Sequence, residues 1–428
     1  MGGLISMNYD DTLNYINSVT WLGKTPGLSR IKELLALMGN PQKNLKFIHI
    51  AGTNGKGSTA AMIAEILIKS DYKTGLSTSP SILKFNERMK INGEDILDDE
   101  LVEIVDYIKP LAESMSSGPT EMELITAIAF EFFKRKNCDI VVLETGMGGA
   151  FDSTNIINTP EIAVITNIGL DHTAFLGNTI KEIAETKCGI IKENGNVVLY
   201  GGNIEVEQIA ERVSEEKNSR LIKADFKSLN LISYSLEGQI FDCGKRKNLF
   251  LSLLGNHQLK NASVALSVID TLIEKGYHIS EDSIKQGLKE VKWSGRFEAI
   301  GHNPLFIIDG GHNPQCIEAL VENINTYLPN EKLTILTGVL ADKDYKEMYR
   351  PVFPYIKEVI CTEPISPRRL SAPKLSEYFK ENNISSLFCR DISEAVKKAV
   401  DTAGKNGTIL AFGSLYLIAD IKKALNNL

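Results

Sequence analysis

The string Gly52-Thr53-Asn54-Gly55-Lys56-Gly57-Ser58-Thr59 follows a short apolar run, Phe47 to Ala51, and leads into a segment where Ala60, Ile63, Ala64 and Leu67 recur at helical spacing. The glycines therefore stand where a strand hands over to a helix. Such a turn aims several backbone N–H groups at one point, and glycines let the backbone wrap an anion with no Cβ in the way. The helix N-terminus adds partial positive charge and Lys56 a full one. Thr53, Asn54, Gly55, Lys56, Gly57 and Ser58 are the expected phosphate contacts of a nucleotide, with the Ser58 or Thr59 hydroxyl available to Mg²⁺ or a phosphate oxygen. The spacing departs from the standard P-loop, because Gly52 lies three residues before Gly55 and Gly57 separates Lys56 from the hydroxyl.

Other residues acquire a chemical reading only from their surroundings. Asp139 to Leu143 reads as an apolar strand that delivers Glu144 to its carboxyl end, where α/β sheets keep their chemistry. The glycines that follow would bring this carboxylate opposite the phosphate loop, where hard oxygen can hold Mg²⁺. A lone glutamate at a strand end is otherwise a solvated residue or a helix cap. His172 alone reads as a packed or surface imidazole, and Lys187 as a helix-end lysine complementing the dipole. Asn261, near a helix start, reads equally well as a cap, and Arg296 as one half of a surface ion pair.

The elements that must position these groups are those of an α/β protein. Two helical patterns occupy residues 9 to 38, with Leu13, Ile16 and Trp21 in the first and Ile31, Leu34, Leu35 and Met38 in the second. Strands are expected over 73–77, 162–165 and 196–200, and helices over 98–114, 123–135, 180–191 and from Leu254-Gly255-Asn256 to about 273; the polar stretch 219–254 reads as β-rich. From Leu305 onward the pattern becomes regular strand-helix units, with strands near 305–308, 333–338, 358–362, 385–388 and 408–412, which predicts a mainly parallel, Rossmann-like second domain. No dinucleotide fingerprint accompanies it, so the architecture does not imply NAD. The expected division is 1–295 and 296–428.

With 428 residues, 43% hydrophobic and 24% charged, the chain can bury a large core in two or three domains. A formal net charge of −7 argues against general affinity for nucleic acid or acidic membranes, while leaving room for a local basic pocket. Six cysteines without a CxxC pair favour buried thiols in a reducing compartment, and no apolar stretch is long enough to span a membrane, so a cytoplasmic location is expected. Met1-Gly2-Gly3-Leu4-Ile5-Ser6 fits the loose myristoylation pattern, but Met7 reads as the natural start, which makes the first six residues an extension.

Successive strings, in order along nearly the whole chain, resemble the folylpolyglutamate synthase and dihydrofolate synthase family of ATP-dependent Mur ligases. They are the Gly52–Ser58 loop, Ser77-Thr78-Ser79-Pro80 with Phe85-Asn86-Glu87-Arg88, Glu144 to Asn155, Asp171-His172 with Leu176 to Lys192, Leu254 to Ala262, and Asp309-Gly310-Gly311-His312-Asn313-Pro314. Gly27-Leu28-Ser29-Arg30-Ile31 also resembles the family's loop beside the active site, although a plain connector is the alternative. The chain departs from the family at Ser81 (His there), Ala150 (Arg), Glu121 and Met122 (often aromatic), Ser294 (Pro) and Gly311 (Ala).

The resemblance implies a P-loop-containing, Mur-ligase-like ATPase domain followed by a Rossmann-like glutamate ligase domain. It implies ATP and two Mg²⁺ sites positioned by Ser79, Glu144, His172 and a carbamylated Lys187, with His172 at the second. Asn86, Glu87 and Arg88 would line the same cleft. Thr120, Met122, Glu123 and Phe151 would contact the folate, Asn261 the adenine side, Asp309 the ribose, and His312 and Arg296 the phosphates. Residues 341–344 and 413–416 would shape the glutamate side. The implied reaction is ATP-dependent addition of L-glutamate to a reduced folate through an acyl phosphate, with dihydropteroate as a further acceptor, by a monomer. Two alternatives stay open: an amide ligase of this architecture with another carboxylate acceptor, and a nucleotide-binding protein without turnover.

Overall fold

The computed structural model describes residues 7–19 and 27–425. Trp21, residues 23–26 of the expected connector, and residues 1–6 lie outside them. The described residues group into two compact units, one running to Leu229 and taking in Lys260–Val291, the other comprising Asn230–Leu259 and the chain from Lys292 onward. The β-rich stretch 230–259 thus groups with the second unit, whereas the sequence reading draws a single division at 295/296.

The first unit is built on an eight-stranded sheet: β1 (Phe47–Ala51), β2 (Thr74–Ser77), β3 (Met89–Ile91), β4 (Glu94–Asp95), β5 (Ile140–Glu144), β6 (Ile162–Ile165), β7 (Asn196–Leu199) and β8 (Arg220–Lys223), in the order β4-β3-β2-β5-β1-β6-β7-β8. β2, β5, β1, β6, β7 and β8 run parallel, and the short β3 and β4 close one edge antiparallel. Every residue of β1, β5 and β6 is buried. That is why their sequences are unbroken apolar runs rather than alternating ones: a parallel sheet is covered on both faces. The register pairs Ile50 with Glu144 and with Val164, so the ends of β1, β5 and β6 lie side by side.

Local signals set the element ends. The helix Lys56–Ile68 starts two residues before the expected Ser58, because Gly55 at φ 85° takes the N-cap place. Glu121–Arg135 begins earlier than expected because Thr120 and Glu123 form a capping box. Ile180–Cys188 carries the same device at Thr179 and Glu182, and stops short of the expected Ile191. Strand β5 extends one residue further than expected, which makes Glu144 its last residue. Among the described residues no helix is long and apolar enough to cross a membrane.

In the second unit, β9 (Asn230–Ser235), β10 (Gly238–Cys243) and β11 (Arg246–Leu251) form an antiparallel sheet. A six-stranded sheet contains β12 (Glu298–His302), β13 (Leu305–Ile308), β14 (Leu333–Thr337), β15 (Ile356–Cys361), β16 (Ser386–Phe388) and β17 (Thr408–Phe412), ordered β12-β13-β17-β14-β15-β16. The five expected strands are its parallel part, and β12 adds an antiparallel edge that the sequence reading did not contain.

Candidate active site

The phosphate loop is shaped by contacts that leave no room for side chains at Gly52 and Gly55. A Cβ on Gly52 would lie 1.8 Å from the Thr166 hydroxyl oxygen, and one on Gly55 2.5 Å from Asn261 Oδ1. The backbone N–H groups of Thr53 and Asn54 both donate to the Asn167 carbonyl, at 2.8 and 3.1 Å. The Thr53 hydroxyl donates to the Gly169 carbonyl at 3.0 Å and faces the Gly169 N–H at 3.1 Å. The turn after β6 therefore braces the loop, a role the sequence reading missed because a main-chain carbonyl leaves no mark on residue type. Lys56 Nζ donates back to the Thr53 carbonyl at 3.3 Å and stands 3.7 Å from Glu144 Oε1.

Glu144, only 6% exposed, accepts the Ser79 backbone N–H through Oε2 at 3.2 Å. Lys187, expected on the same site, is 4% exposed and its Nζ donates to the Gly52 carbonyl at 2.6 Å. Burial, and next the charge of Lys56, pull its pKa down to about 7, while Asp171, Asp152 and Glu144 pull the other way. Lys56, Ser79, Glu144 and Lys187 are thus brought around one point. His172 stands on the turn after β6, exposed and in a left-handed conformation at φ 50°. Its neighbour Asp171 also faces Lys187 electrostatically.

Among the described residues no group of three or more His, Cys, Asp and Glu could by itself hold a metal ion. The donors present still suit Mg²⁺, which characteristically takes one or two carboxylates and completes its shell with phosphate oxygens and water. Glu144 and Ser79 supply hard oxygens beside a phosphate loop. Lys187 suits a Mg²⁺ set as a carbamate, because an ammonium group would repel the ion and Mg²⁺ takes oxygen rather than amine ligands.

The glycine-rich turn after β5 packs directly on the Lys187 helix. The Ala150 N–H donates to the Thr186 carbonyl at 2.8 Å, and a Cβ on Gly149 would meet the carbonyl oxygens of Thr186 and Lys187 at 2.6 and 2.7 Å. Backbone cannot rotate away as a side chain can. Gly149→Ala is expected to cost roughly 1–3 kcal/mol, read as a lowered thermal midpoint with weakened nucleotide binding.

The residues expected at the folate are committed to local structure to different degrees. Glu123 is buried, accepts the Thr120 N–H at 2.7 Å, and pairs with Arg30 at 3.0 Å. Thr120 accepts the Glu123 N–H at 3.3 Å. Met122 lies over Gly146, where a Cβ would come within 2.8 Å of its methyl carbon. Phe151 is 67% exposed. Asn86 donates to the Ile96 carbonyl and Asp98 and accepts from Tyr9, and Glu87 accepts the N–H groups of Ile82 and Leu83, so both hold the segment after β2 in shape.

In the second unit the key residue is Asp309, at the end of β13. Its two oxygens accept the backbone N–H groups of Phe297 at 2.9 Å and Gly311 at 2.7 Å. Burial pushes its pKa up against the opposing pull of Arg296 and these donors. Phe297 is buried in a left-handed conformation at φ 46°, a strain these bonds offset. Arg296 Nη1 donates to the Gly295 carbonyl at 3.0 Å, and His312 Nδ1 to the Gly310 carbonyl at 2.8 Å. Ser294, where the family has proline, donates to Glu298 at 2.8 Å, and Lys422 pairs with the same carboxylate. Asp309→Asn leaves one backbone donor facing an amide N–H and is expected to destabilise the 295–311 turns by about 1–3 kcal/mol, measurable as a fall in thermal midpoint.

A family model of the Mur ligase middle domain matches residues 50–269, and one of the Mur ligase glutamate ligase domain matches 295–415. A dihydrofolate synthase/folylpolyglutamate synthase of Bacillus subtilis is 34% identical over 97% of this chain and 99% of its own length. The chain belongs to the folylpolyglutamate and dihydrofolate synthase family of Mur ligases. A folylpolyglutamate synthase of Lacticaseibacillus casei is 33% identical over 98% of this chain and 99% of its own. Among solved structures, a folylpolyglutamate synthase from Thermotoga maritima superposes with a TM-score of 0.87 at 34% identity, covering 98% of this chain and 96% of that one. E. coli FolC in complex with DHPP and ADP gives 0.88 at 26% identity, covering 99% and 98%. The expected family, the two-domain Mur-ligase architecture and the ligase class all hold.

Proposed function

We propose that the chain is an ATP-dependent amide ligase that adds L-glutamate to a reduced folate and takes dihydropteroate as a further acceptor. The observation that carries the reading is the gathering of Lys56, Glu144, the Ser79 amide and Lys187 around a strand-to-helix phosphate loop, in a chain that matches folate ligases over nearly its whole length.

An acceptor carboxylate oxygen attacks the γ-phosphorus of ATP and the bond to the β-phosphate oxygen breaks, giving ADP and an acyl phosphate. The glutamate amine then attacks the acyl carbon, loses a proton, and expels phosphate. Amide formation in water is uphill, and phosphate supplies the leaving group. Lys56 and the N–H groups at the head of the Lys56–Ile68 helix bind the transferring phosphoryl oxygens and neutralise the charge that develops there. Asn261 stands against Gly55 and contacts the adenine side of the nucleotide. Arg296 offers a planar guanidinium for phosphate oxygens, and His312, its Nδ1–H held by Gly310, presents Nε2. Thr120, Met122, Glu123 and Phe151 shape the folate end, with Asp309 orienting the Arg296 turn and contacting the ribose. Mg²⁺ held by Ser79 and Glu144, and a second held by His172 and carbamylated Lys187, would when bound screen the phosphate charge. The protein works as a cytoplasmic monomer.

Acceptor-dependent ADP release tests the reading. Tetrahydrofolate or dihydropteroate, with glutamate and Mg²⁺, is expected to stimulate it well above the ATP-only rate. Stimulation by neither, with ADP released on another carboxylic acid, transfers the reading to a ligase with a different acceptor, which the Met122 and Ala150 departures would then explain. ATP binding without release on any acid contradicts ligase turnover.

A further inference from the structure

A buried imidazole lies under the phosphate loop on the same strand. His49, in the middle of β1, is fully buried, and its Nε2 lies 2.8 Å from the Thr154 hydroxyl oxygen, 105 residues away along the chain. Thr154 in turn donates its hydroxyl proton to Asp152 Oδ1 at 2.5 Å and its backbone N–H to the same oxygen at 3.0 Å. The other oxygen, Asp152 Oδ2, accepts the Met147 N–H at 2.8 Å. The chain of bonds thus runs from the centre of β1 into the glycine-rich turn that follows Glu144.

Burial raises the Asp152 pKa, and the Thr154, Met147 and Gly146 donors pull it back; with the carboxylate ionised the proton bookkeeping has one solution. A hydroxyl has one proton to give, and an ionised carboxylate can only accept. The Thr154 proton belongs to Asp152, so the Thr154 oxygen must accept, and His49 must carry its proton on Nε2. That leaves Nδ1 as a bare lone pair, in keeping with its lack of a hydrogen-bond partner among the described residues. A buried lone pair costs less than an orphaned N–H. Burial also keeps this imidazole neutral, with its pKa pulled down to about 3.

We propose that His49 is a positioning residue for the ligation reaction: through Thr154 it orients Asp152, and through Asp152 it fixes the turn from Glu144 to Gly149. The position of that turn matters twice. It carries Glu144 on one side, and on the other it packs on the Lys187 helix through Ala150 and Gly149. The Asp152 charge, held in place by Thr154, is also one of those that face Lys187. An apolar residue at position 49 would let Thr154 rotate and Asp152 follow, while the strand itself would stay packed. The loss falls on the chemical step, because a displacement of about 1 Å at a reacting centre can cost about 10²-fold, whereas ATP is bound through the loop amides.

The catalytic part of this proposal rests on the ligase reading; the tautomer does not. Protein labelled with ¹⁵N-histidine, with the His49 signals identified from their loss in H49Q, is expected to show a pyrrole-type Nε2 and a pyridine-type Nδ1 at neutral pH. Kinetically, H49L is expected to lower kcat about ten-fold or more with KM for ATP within about two-fold. H49Q, which returns an N–H donor to the Nε2 position, and T154S are expected to recover most of kcat, and T154V to behave as H49L does. A protonated Nδ1, wild-type kcat in H49L or T154V, or an H49Q no better than H49L would overturn the proposal. Should H49L fail to fold, T154V, H49Q and the tautomer decide it. Absence of amide product from the wild type would count against the ligase function and leave the tautomer result standing.

Discussion

Lys56→Ala is expected to reduce kcat by about 10³-fold or more while the protein stays folded. The side chain is largely withdrawn into its own loop, with Nζ 3.3 Å from the Thr53 carbonyl and 3.7 Å from Glu144. It contributes no core packing, so truncation removes charge rather than structure. What is lost is a full positive charge at the head of the Lys56–Ile68 helix, where the loop amides supply only partial charges. Lys56→Arg should rescue little, since a planar guanidinium is wider than the ammonium and the loop is closed around it by Thr53 and Glu144. Steady-state rates with saturating acceptor and glutamate, and a thermal midpoint close to wild type, check the prediction. A fall in midpoint in step with the fall in rate would mark Lys56 as structural instead.

Lys187→Met is expected to separate activity from stability. Activity should fall by about 10²-fold or more, because methionine can neither become a carbamate nor bond Gly52. Stability should not fall in parallel, because a buried cation is costly and methionine fills the space without charge. Linkage gives the sign. The Lys187 pKa is lowered from 10.5 to about 7, so between those values the unfolded chain holds a proton that the folded chain has released. Stability therefore rises with pH across that window. Wild type should show this slope in denaturant unfolding followed from neutral to alkaline pH, and Lys187→Met should show less of it. In the same window the neutral amine is available to react with CO₂. Removing bicarbonate should lower activity, and restoring it should bring activity back, in wild type but not in the variant. A bicarbonate-insensitive rate would argue against the carbamate.

The parts legible in the sequence were those recorded in residue type along a single segment. β1, β5 and β6 announce themselves as unbroken apolar runs because both faces are covered, and the Gly52–Ser58 string sits at a strand-to-helix junction where Gly52 and Gly55 are sterically required. The strands of the second unit were readable for the same reason. The β3–β4 pair was not, being strands of three and two residues, too short for the Met89-Lys90-Ile91 alternation to stand out although Met89 is buried in the core. Nor was β12, whose residues are mostly half-buried and whose pairing with β13 depends on the turn between them.

The candidate site divides in a similar way. Glu144 and Lys56 could be placed because strand and helix ends fix them, and their 3.7 Å separation follows from the register of β1 with β5; Lys187 took its place from the family resemblance, since its bond to the Gly52 carbonyl joins a helix to a loop remote in sequence. What could not be read were bonds between residues remote in sequence. Thr120 and Glu123 pair locally as a capping box, yet Glu123 also meets Arg30 across 93 residues. Asp309 carries two backbone bonds that no motif reveals. His49 in an apolar strand gives no sign of Thr154.

The most direct test is ATP- and Mg²⁺-dependent incorporation of labelled glutamate into tetrahydrofolate and into dihydropteroate, assayed in parallel with Lys56→Ala as the control. The account predicts labelled product from tetrahydrofolate, and from dihydropteroate as well, each lost in the variant. Label in neither acceptor, from a protein that binds ATP and is folded, would contradict it.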